Sequence, residues 1–446
     1  MAVVLGASMT GLMASAALQR AGWRAVVIER DELELEGAPT ARRGVGQGRH
    51  NHNLTALATS TLARLFPGVL DELRGEGATV CDVGRDGRWY VGGLRLARVE
   101  VGQPQVLVSR PLLDRVLLRR LGASGGVELR DATDVCGLVE DRGQITGVRV
   151  IGRREGKEEV IDANLVVDAS GRGSRTPRWL EELGFEAPAE DRVDVSVKYT
   201  TRAFRWRPTD LDGDRFVYSS GLAPSWPKGA VVFAVDGERW MILQFAYGDA
   251  PPSDLDGFRR FAASLAAPEV AQIAERCEPI GDAATYSFPR SVRRRYDRAR
   301  MPGGLVVVGD ALQSTNPSWG LGITSAAMHV DVLERRLANA TRPSDGFHRA
   351  ALRASEPVWG PVRDRDRSFD SVPGDPSWPF QVLNRLVGGT FAAATTRPDL
   401  AKLVLEVITY ARSPAGLLRP DRVARSLWTQ LDAPRLADPR DAVEVS

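Results

Sequence analysis

The sequence predicts an α/β protein in three parts. These are a nucleotide-binding domain on a parallel sheet, a second domain built mainly as an antiparallel β-sheet, and a C-terminal helical region. Three observations carry the prediction. The chain opens with a strand, a glycine turn, a helix and a second strand in quick succession. Two later apolar strands, near residues 165 and 305, run into glycine-rich loops. Between residues 191 and 247 the chain becomes strand-rich and aromatic.

Residues 2–5 are a short apolar run ending at Gly6. Residues 12–22 have helical periodicity and stop at a glycine, a common helix terminator. Residues 24–29, β-branched at their centre, form the second strand. Residues 37–52 are polar and glycine-rich, hence a loop. Helices are expected over 54–65 and 111–121, and alternating strands over 127–150. Residues 165–167 form a buried strand leading into a loop at 168–174. Within 239–247, Trp240, Ile242 and Gln244 share one face of a strand. Residues 305–308 return to a buried strand, followed by a loop to 322 and a helix over 323–337. Beyond Arg342 the chain is helical but broken by prolines, with an amphipathic stretch at 400–410. The expected division places 1–82, 105–178 and 280–342 in the nucleotide-binding domain, 83–104 and 179–279 in the sheet domain, and 343–446 in the helical region.

Composition narrows the function classes. With 446 residues, 43% hydrophobic and 26% charged, the chain is of the globular kind, not disordered or collagenous. A net charge of +2 argues against a nucleic-acid partner. Cys81, Cys136 and Cys277 lie far apart and form no CxxC, which suits a reducing compartment. No HExxH or ligand cluster is present, so no metal is expected. No apolar stretch reaches the roughly 18 residues of a membrane span. A strand starting at Ala2 leaves no room for a signal peptide, so a cytoplasmic location is expected.

Three glycine motifs carry the chemistry. The first, Gly6-Ala7-Ser8-Met9-Thr10-Gly11, follows a strand and opens a helix, the context a dinucleotide fingerprint requires. Backbone N–H groups at that helix start can hold a pyrophosphate. Glu29, followed by Arg30, ends the second strand, where a carboxylate accepts from a ribose with a free 2′-hydroxyl. That favours FAD or NAD over NADP. The second motif, Asp168-Ala169-Ser170-Gly171-Arg172-Gly173-Ser174-Arg175, follows a buried strand and can also be read as a plain tight turn. The third comprises Gly309-Asp310 and Asn316-Pro317-Ser318-Trp319-Gly320-Leu321-Gly322 ahead of a helix. Asp310 can bind ribityl or ribose hydroxyls. Gly320 and Gly322 let the backbone approach a flat ring, and the following helix start faces negative charge on it.

In this order, the three motifs resemble the FAD-dependent monooxygenases of the para-hydroxybenzoate hydroxylase fold. The stretches at 43–52, 65–68, 109–114 and 171–180 are similar to those of actinobacterial natural-product oxygenases that include the polyether epoxidases of the monensin and lasalocid type. The resemblance implies a Rossmann-like FAD-binding domain over discontinuous segments. It assigns Gly6, Ser8, Met9, Thr10 and Gly11 to the pyrophosphate turn, and Glu29 and Arg30 to the adenosine end. Arg43 and Arg110 are implied to contact the flavin nucleotide, Val135 to lie by adenine, and Asp310 to bind the ribityl chain. Pro317, Gly320, Leu321 and Gly322 then form the loop beside the isoalloxazine. His52, and His50 with it, lie in the loop expected near the flavin.

The implied reaction is epoxidation or hydroxylation of a bulky apolar biosynthetic intermediate by O₂ through a flavin C4a-hydroperoxide. Asp168-Ala169 departs from the family's Asp-Gly pair, which leaves two electron sources, NAD(P)H bound directly or a separate flavin reductase. Trp206, Tyr218, Phe233, Trp240, Gln244 and Trp319 are the expected substrate contacts. A flavin-dependent halogenase is disfavoured, because no lysine precedes Lys157 and no Trp-x-Trp-x-Ile-Pro segment occurs. A reductase of isoprenoid double bonds on a similar fold is the alternative.

Overall fold

The computed structural model describes residues 1–221 and 223–412. The part of the expected helical region from 413 onward lies outside the described residues. At the centre is a five-stranded parallel sheet. Its strands run in the order Leu305–Val307, Leu165–Asp168, Ala2–Leu5, Ala25–Ile28, Val127–Arg130. The three inner strands are buried along their whole length, which is why they read as unbroken apolar runs. Helices Met9–Arg20 and Gly322–Asn339 lie against each other beside this sheet, so the first and third glycine motifs open neighbouring helices.

The second sheet has eight strands, in the order Gln313–Ser314, Pro279–Arg294, Glu190–Arg205, Arg239–Tyr247, Lys228–Val235, Phe216–Ser219, Gly87–Val91, Leu94–Arg95. Every pairing in it is antiparallel except that of Phe216–Ser219 with Gly87–Val91. Strand Pro279–Arg294 pairs along most of its length with Glu190–Arg205. The expected domain boundary at residue 280 therefore falls at the start of a strand that belongs to this sheet. The first half of that strand, residues 279–286, carries no buried residue and only intermediate or exposed ones.

One face of this sheet is covered by helices Leu255–Ala263 and Pro268–Arg276. The other face looks towards the parallel sheet. At its far end that face is closed by helix Pro398–Ile408, which buries Leu400, Val404 and Leu405 against Trp89, Phe216 and Phe233. Each such side chain contributes about 1.5–3 kcal/mol on burial. Nearer the parallel sheet, Phe369 and Val372, just after helix Glu356–Asp366, pack on Tyr199, Leu243 and Tyr247. Among the described residues no helix is long and apolar enough to cross a membrane.

Candidate active site

A cavity of about 430 Å³ runs between the two sheets and is lined by residues from all three glycine motifs. At one end stands the turn at Gly6. Gly6 has φ +96°, and a Cβ there would lie 2.9 Å from the Ala169 carbonyl oxygen. Gly11 does not line the cavity. A Cβ on it would sit 1.9 Å from the Gly6 carbonyl oxygen, so its part is to let helix Met9–Arg20 close on the strand. Ser8, at the N-cap, makes no capping hydrogen bond and instead accepts from Arg110 Nη2 at 2.6 Å. The N–H groups of that helix start remain available to a ligand.

Glu29 is buried yet borders the cavity. Its Oε2 accepts from Ala7 N at 2.9 Å and from Arg42 Nη1 at 3.3 Å, and its Oε1 accepts from Asp31 N at 3.1 Å. Arg42 also donates to Asp114 Oδ2 at 2.9 Å, and Arg110 Nε donates to Asp114 Oδ1 at 2.8 Å. Burial alone would raise the Asp114 pKa, but the two guanidinium groups outweigh it and hold the carboxyl below its ordinary value. Arg110 is delivered to this network because Ser109 caps helix Arg110–Gly122 and Pro111 occupies its first turn.

Arg43, expected at the flavin nucleotide, is exposed. It lines a separate outer groove with Arg30, Arg153 and Arg154. Its neighbour Arg42 borders the same groove but directs its guanidinium onto Glu29 and Asp114. Arg30 borders both the groove and the cavity, and Val135 lines the cavity beside Asp134.

Asp310 reaches the cavity from the turn Gly309–Ala311. Burial raises its carboxyl pKa, against the pull of Arg172, Arg110 and Arg294. Gly309 has φ +60°, and its N–H donates to His329 Nδ1 at 3.1 Å. Burial, with Arg293 and His348, pushes the His329 pKa down to about 3, so its Nδ1 stays a lone-pair acceptor. In the middle motif, buried Asp168 accepts from Ser170 N and Oγ, Ser174 Oγ and Thr176 Oγ1. That fixes the turn that presents Gly171, Arg172 and Gly173 to the cavity.

The far end is formed by the third motif. Pro317, Gly320 and Gly322 line the cavity. Gly320 has φ +66°, and a Cβ there would stand 3.1 Å from Asn53 Oδ1. Leu321 does not line it; its side chain is buried against Val358 and Val362. Trp319 also turns outwards, and its Nε1 donates to Asp366 Oδ1 at 2.9 Å. The wall facing this loop is His50, Asn51, His52, Tyr199, Leu243 and Tyr286. The His50 ring lies 5.7 Å from Tyr286 and 6.3 Å from Tyr199, centre to centre. Burial lowers the His50 pKa to about 4, and burial with the Arg110 charge lowers that of His52 to about 3. His52 Nδ1 donates to the His50 carbonyl at 2.9 Å. His52 therefore stays neutral and offers hydrogen bonding rather than acid catalysis near neutral pH.

None of the expected substrate side chains lines the cavity. Trp206, Trp240 and Gln244 pack on the helix-covered face; Trp240 Nε1 donates to Asp210 and Gln244 Nε2 to the Phe258 carbonyl. Trp240, Ile242 and Gln244 share one face of their strand, and the opposite face, through Leu243, is the one that meets the cavity. Phe233 and Tyr218 are on that face but farther along, in the cluster beneath helix Pro398–Ile408. Trp319 is excluded by its hydrogen bond to Asp366. Sequence reasoning missed Tyr286 and Asn53, which carry no motif of their own, and did not single out Arg42.

The residues present fit FAD. A glycine at Gly6 that tolerates no Cβ, an acid at the second strand end, a second acid at Asp310 and a left-handed Gly320 border one continuous cavity. Comparison with known proteins agrees. The FAD binding domain family matches residues 1–346. The chain is 33% identical to Protein Rv3254 of Mycobacterium tuberculosis over 91% of its own length and 88% of that protein's. It is 26% identical to the digeranylgeranylglycerophospholipid reductase of Methanocella arvoryzae, over 72% of this chain and 76% of the other. It is 25% identical to a putative polyketide hydroxylase of Streptomyces halstedii, over 75% of this chain and 58% of the other. The p-nitrophenol 4-monooxygenase of Pseudomonas putida shares the fold, with a TM-score of 0.63 at 19% identity, over 91% of this chain and 96% of that one. The chain thus belongs to the FAD binding domain family, and its fold is that of the flavin-dependent monooxygenases of the para-hydroxybenzoate hydroxylase type.

Proposed function

We propose that the protein is a monooxygenase that epoxidises or hydroxylates a bulky, uncharged, largely apolar intermediate of natural-product biosynthesis. The observation that carries this reading is the wall opposite the 317–322 loop. His50, Asn51, Tyr199, Leu243 and Tyr286 present aromatic, aliphatic and neutral polar surface there. Glu29, Arg110 and Asp310 line the cavity where the dinucleotide motifs meet it.

Bound and reduced, FAD supplies the activation of O₂ for transfer of one oxygen atom to an electron-rich alkene or ring. The chain's own residues bind, orient and shield. Glu29 takes ribose hydroxyls, Asp310 takes ribityl hydroxyls, and the N–H groups after Ser8 take the pyrophosphate. The N–H groups of the 320–322 segment and the start of helix Gly322–Asn339 stabilise negative charge on the ring edge. Tyr199, Tyr286 and Leu243 orient the substrate and exclude water. Asn51 donates both amide protons to the Val231 and Met241 carbonyls, which leaves its Oδ1 without a partner. The His50 ring, whose Nδ1 pairs with Thr201 Oγ1 at 2.8 Å, is the polar anchor for a substrate hydroxyl through its other nitrogen. Electrons come from NAD(P)H directly or through a separate flavin reductase.

The test supplies FAD, NAD(P)H, a flavin reductase and ¹⁸O₂ with neutral aromatic polyketides and polyenes as probes. The expected product carries one ¹⁸O atom. A product two hydrogens heavier and free of ¹⁸O would favour the second reading, reduction of isoprenoid double bonds, which the likeness to the Methanocella arvoryzae reductase supports.

A further inference from the structure

Behind the cavity wall, on the side away from the flavin loop's open face, lies a polar cluster that binding and oxygen transfer do not by themselves require. Its centre is Asp366, fully buried at the last position of helix Glu356–Asp366. One carboxylate oxygen, Oδ1, accepts from Tyr247 Oη at 2.8 Å, from Asn316 Nδ2 at 2.8 Å and from Trp319 Nε1 at 2.9 Å. The other, Oδ2, is buried without a partner. No cation pairs with the carboxylate among the described residues. A buried carboxylate held only by neutral donors is costly, and an apolar side chain would fill the same space at less expense.

The cost is matched by what the cluster determines. Asn316 Oδ1 accepts from Tyr199 Oη at 3.1 Å, from Ser318 N at 3.1 Å and from Ser318 Oγ at 2.9 Å. Its Nδ2 gives one proton to Asp366 and one to Tyr247 Oη at 3.0 Å. The oxygen side of the amide thus meets donors and the nitrogen side meets acceptors, so the amide has one stable orientation. Asn316 opens the turn Pro317–Trp319, and that turn sets Gly320 at its left-handed φ. Trp319, two residues before Leu321, is pinned to the same carboxylate oxygen. The loop is therefore held at both ends of its turn from one atom outside the cavity.

We propose that Asp366 is a positioning residue of the redox site, a carboxylate that fixes the 316–322 loop against the flavin through Asn316 and Trp319. This rests on the placement of FAD in the cavity. The groups around Asp366 agree with it. Tyr199 and Tyr247, from the sheet, have pKa values raised well above 10, by burial first and then by Asp366, and remain donors. Arg365, on the same helix, lies over the Trp319 ring at 5.2 Å, and Asp364 is engaged by Arg363 and Ser377. Burial pushes the Asp366 carboxyl up to about 6, against its three donors and Arg365.

The experiment compares Asp366→Leu, Asp366→Asn and Trp319→Phe in the full chain loaded with FAD. The readouts are FAD stoichiometry, the visible spectrum of bound FAD and its two-electron midpoint potential. Asp366→Leu is expected to change the ratio of affinities for reduced and oxidised FAD about tenfold, read as about 30 mV. Asp366→Asn keeps an acceptor oxygen for the three donors and is expected to recover most of the original value. Trp319→Phe removes one donor and keeps an aromatic ring; about a threefold change, or about 15 mV, is expected in the same direction. An unaltered potential and spectrum in Asp366→Leu overturns the proposal. So does an Asp366→Asn chain displaced as far as the leucine variant, because the charge and not the hydrogen bonds would then be acting. If Asp366→Leu does not fold, Trp319→Phe decides, and an unchanged potential there overturns the proposal. Failure of the unmodified chain to bind FAD defeats the underlying placement instead, and is seen before any variant is compared.

Discussion

Replacing Gly309 with alanine tests the contact between the first and third motifs. The backbone there has φ +60°, and the new Cβ would lie 2.4 Å from Thr10 Oγ1, 2.7 Å from Thr10 Cγ2 and 2.9 Å from Thr10 Cβ. A left-handed backbone costs a residue with a Cβ roughly 1–2 kcal/mol, and overpacking of this kind adds roughly 1–3 kcal/mol. The sum is about 2–5 kcal/mol of folding stability. The two terms are separable. Thr10→Ala removes Oγ1 and Cγ2 and leaves the backbone term untouched. In the Gly309→Ala background it should recover part of the roughly 1–3 kcal/mol overpacking term, since the Cβ at position 10 remains, a coupling that urea denaturation of the four chains measures as a double-mutant cycle. FAD affinity, titrated by flavin fluorescence, should fall in Gly309→Ala because Asp310 moves with the turn. A Gly309→Ala chain as stable as the parent, or a coupling near zero, would refute the argument that the two motifs meet at this point.

Other perturbations follow from the same geometry. Asp310→Ala removes a charge-assisted contact worth roughly 1.5–3 kcal/mol, so FAD affinity should drop at least about tenfold in a fluorescence titration. Glu29→Ala should weaken FAD while leaving FMN, which lacks the adenosine ribose, nearly unchanged; equal losses would mean that Glu29 serves only its turn. The four histidines, His50, His52, His329 and His348, are all buried and have pKa values lowered from 6.5 to between about 3 and about 4. Their depressed folded values mean that the stability they contribute is present above pH 6.5 and is lost as pH falls towards 3. His329→Phe should therefore lose stability less steeply with acid than the parent in pH-dependent melts. Asp366 has the opposite sign. Its folded value is raised from 3.8 to about 6, so its stabilising share is present below pH 3.8 and is lost as pH rises through 6. Asp366→Asn should flatten that limb, by about 3 kcal/mol at most.

The nucleotide-binding half was legible because its signals are local. A strand, glycines at fixed offsets and an acid at the next strand end lie within thirty residues, and Gly6, Glu29, Asp310 and Gly320 all border one cavity. The substrate side was not legible. Period-two alternation separates Trp240 and Gln244 from Leu243, but the choice of inward face depends on which element covers each side. Here helices Leu255–Ala263 and Pro268–Arg276 took the face that looked richer in aromatic and polar groups. Arg42 and Arg43 show the same limit on a smaller scale. Adjacent identical residues in a loop border the same groove, yet only Arg42 is paired, with the buried carboxylates of Glu29 and Asp114. Asp366 gave no signal, because its partners lie between 47 and 119 residues away along the chain.

The strand order of the parallel sheet also bears on synthesis. The sheet takes its outer strand, Leu305–Val307, from two-thirds of the way along the chain, beside a strand at Leu165–Asp168 that in turn flanks Ala2–Leu5. A ribosome making this protein releases the first half of the cofactor cradle long before the second. The strand Leu165–Asp168 must then wait, with its outer apolar edge unpaired, while the antiparallel strands between residues 190 and 294 are made. Such an interval favours capture by chaperones or by other chains. FAD added during translation can complete its contacts only once Asp310 and Gly320 have emerged. Cofactor supply during expression should therefore raise the yield of soluble protein by trapping the finished fold rather than by guiding its early steps.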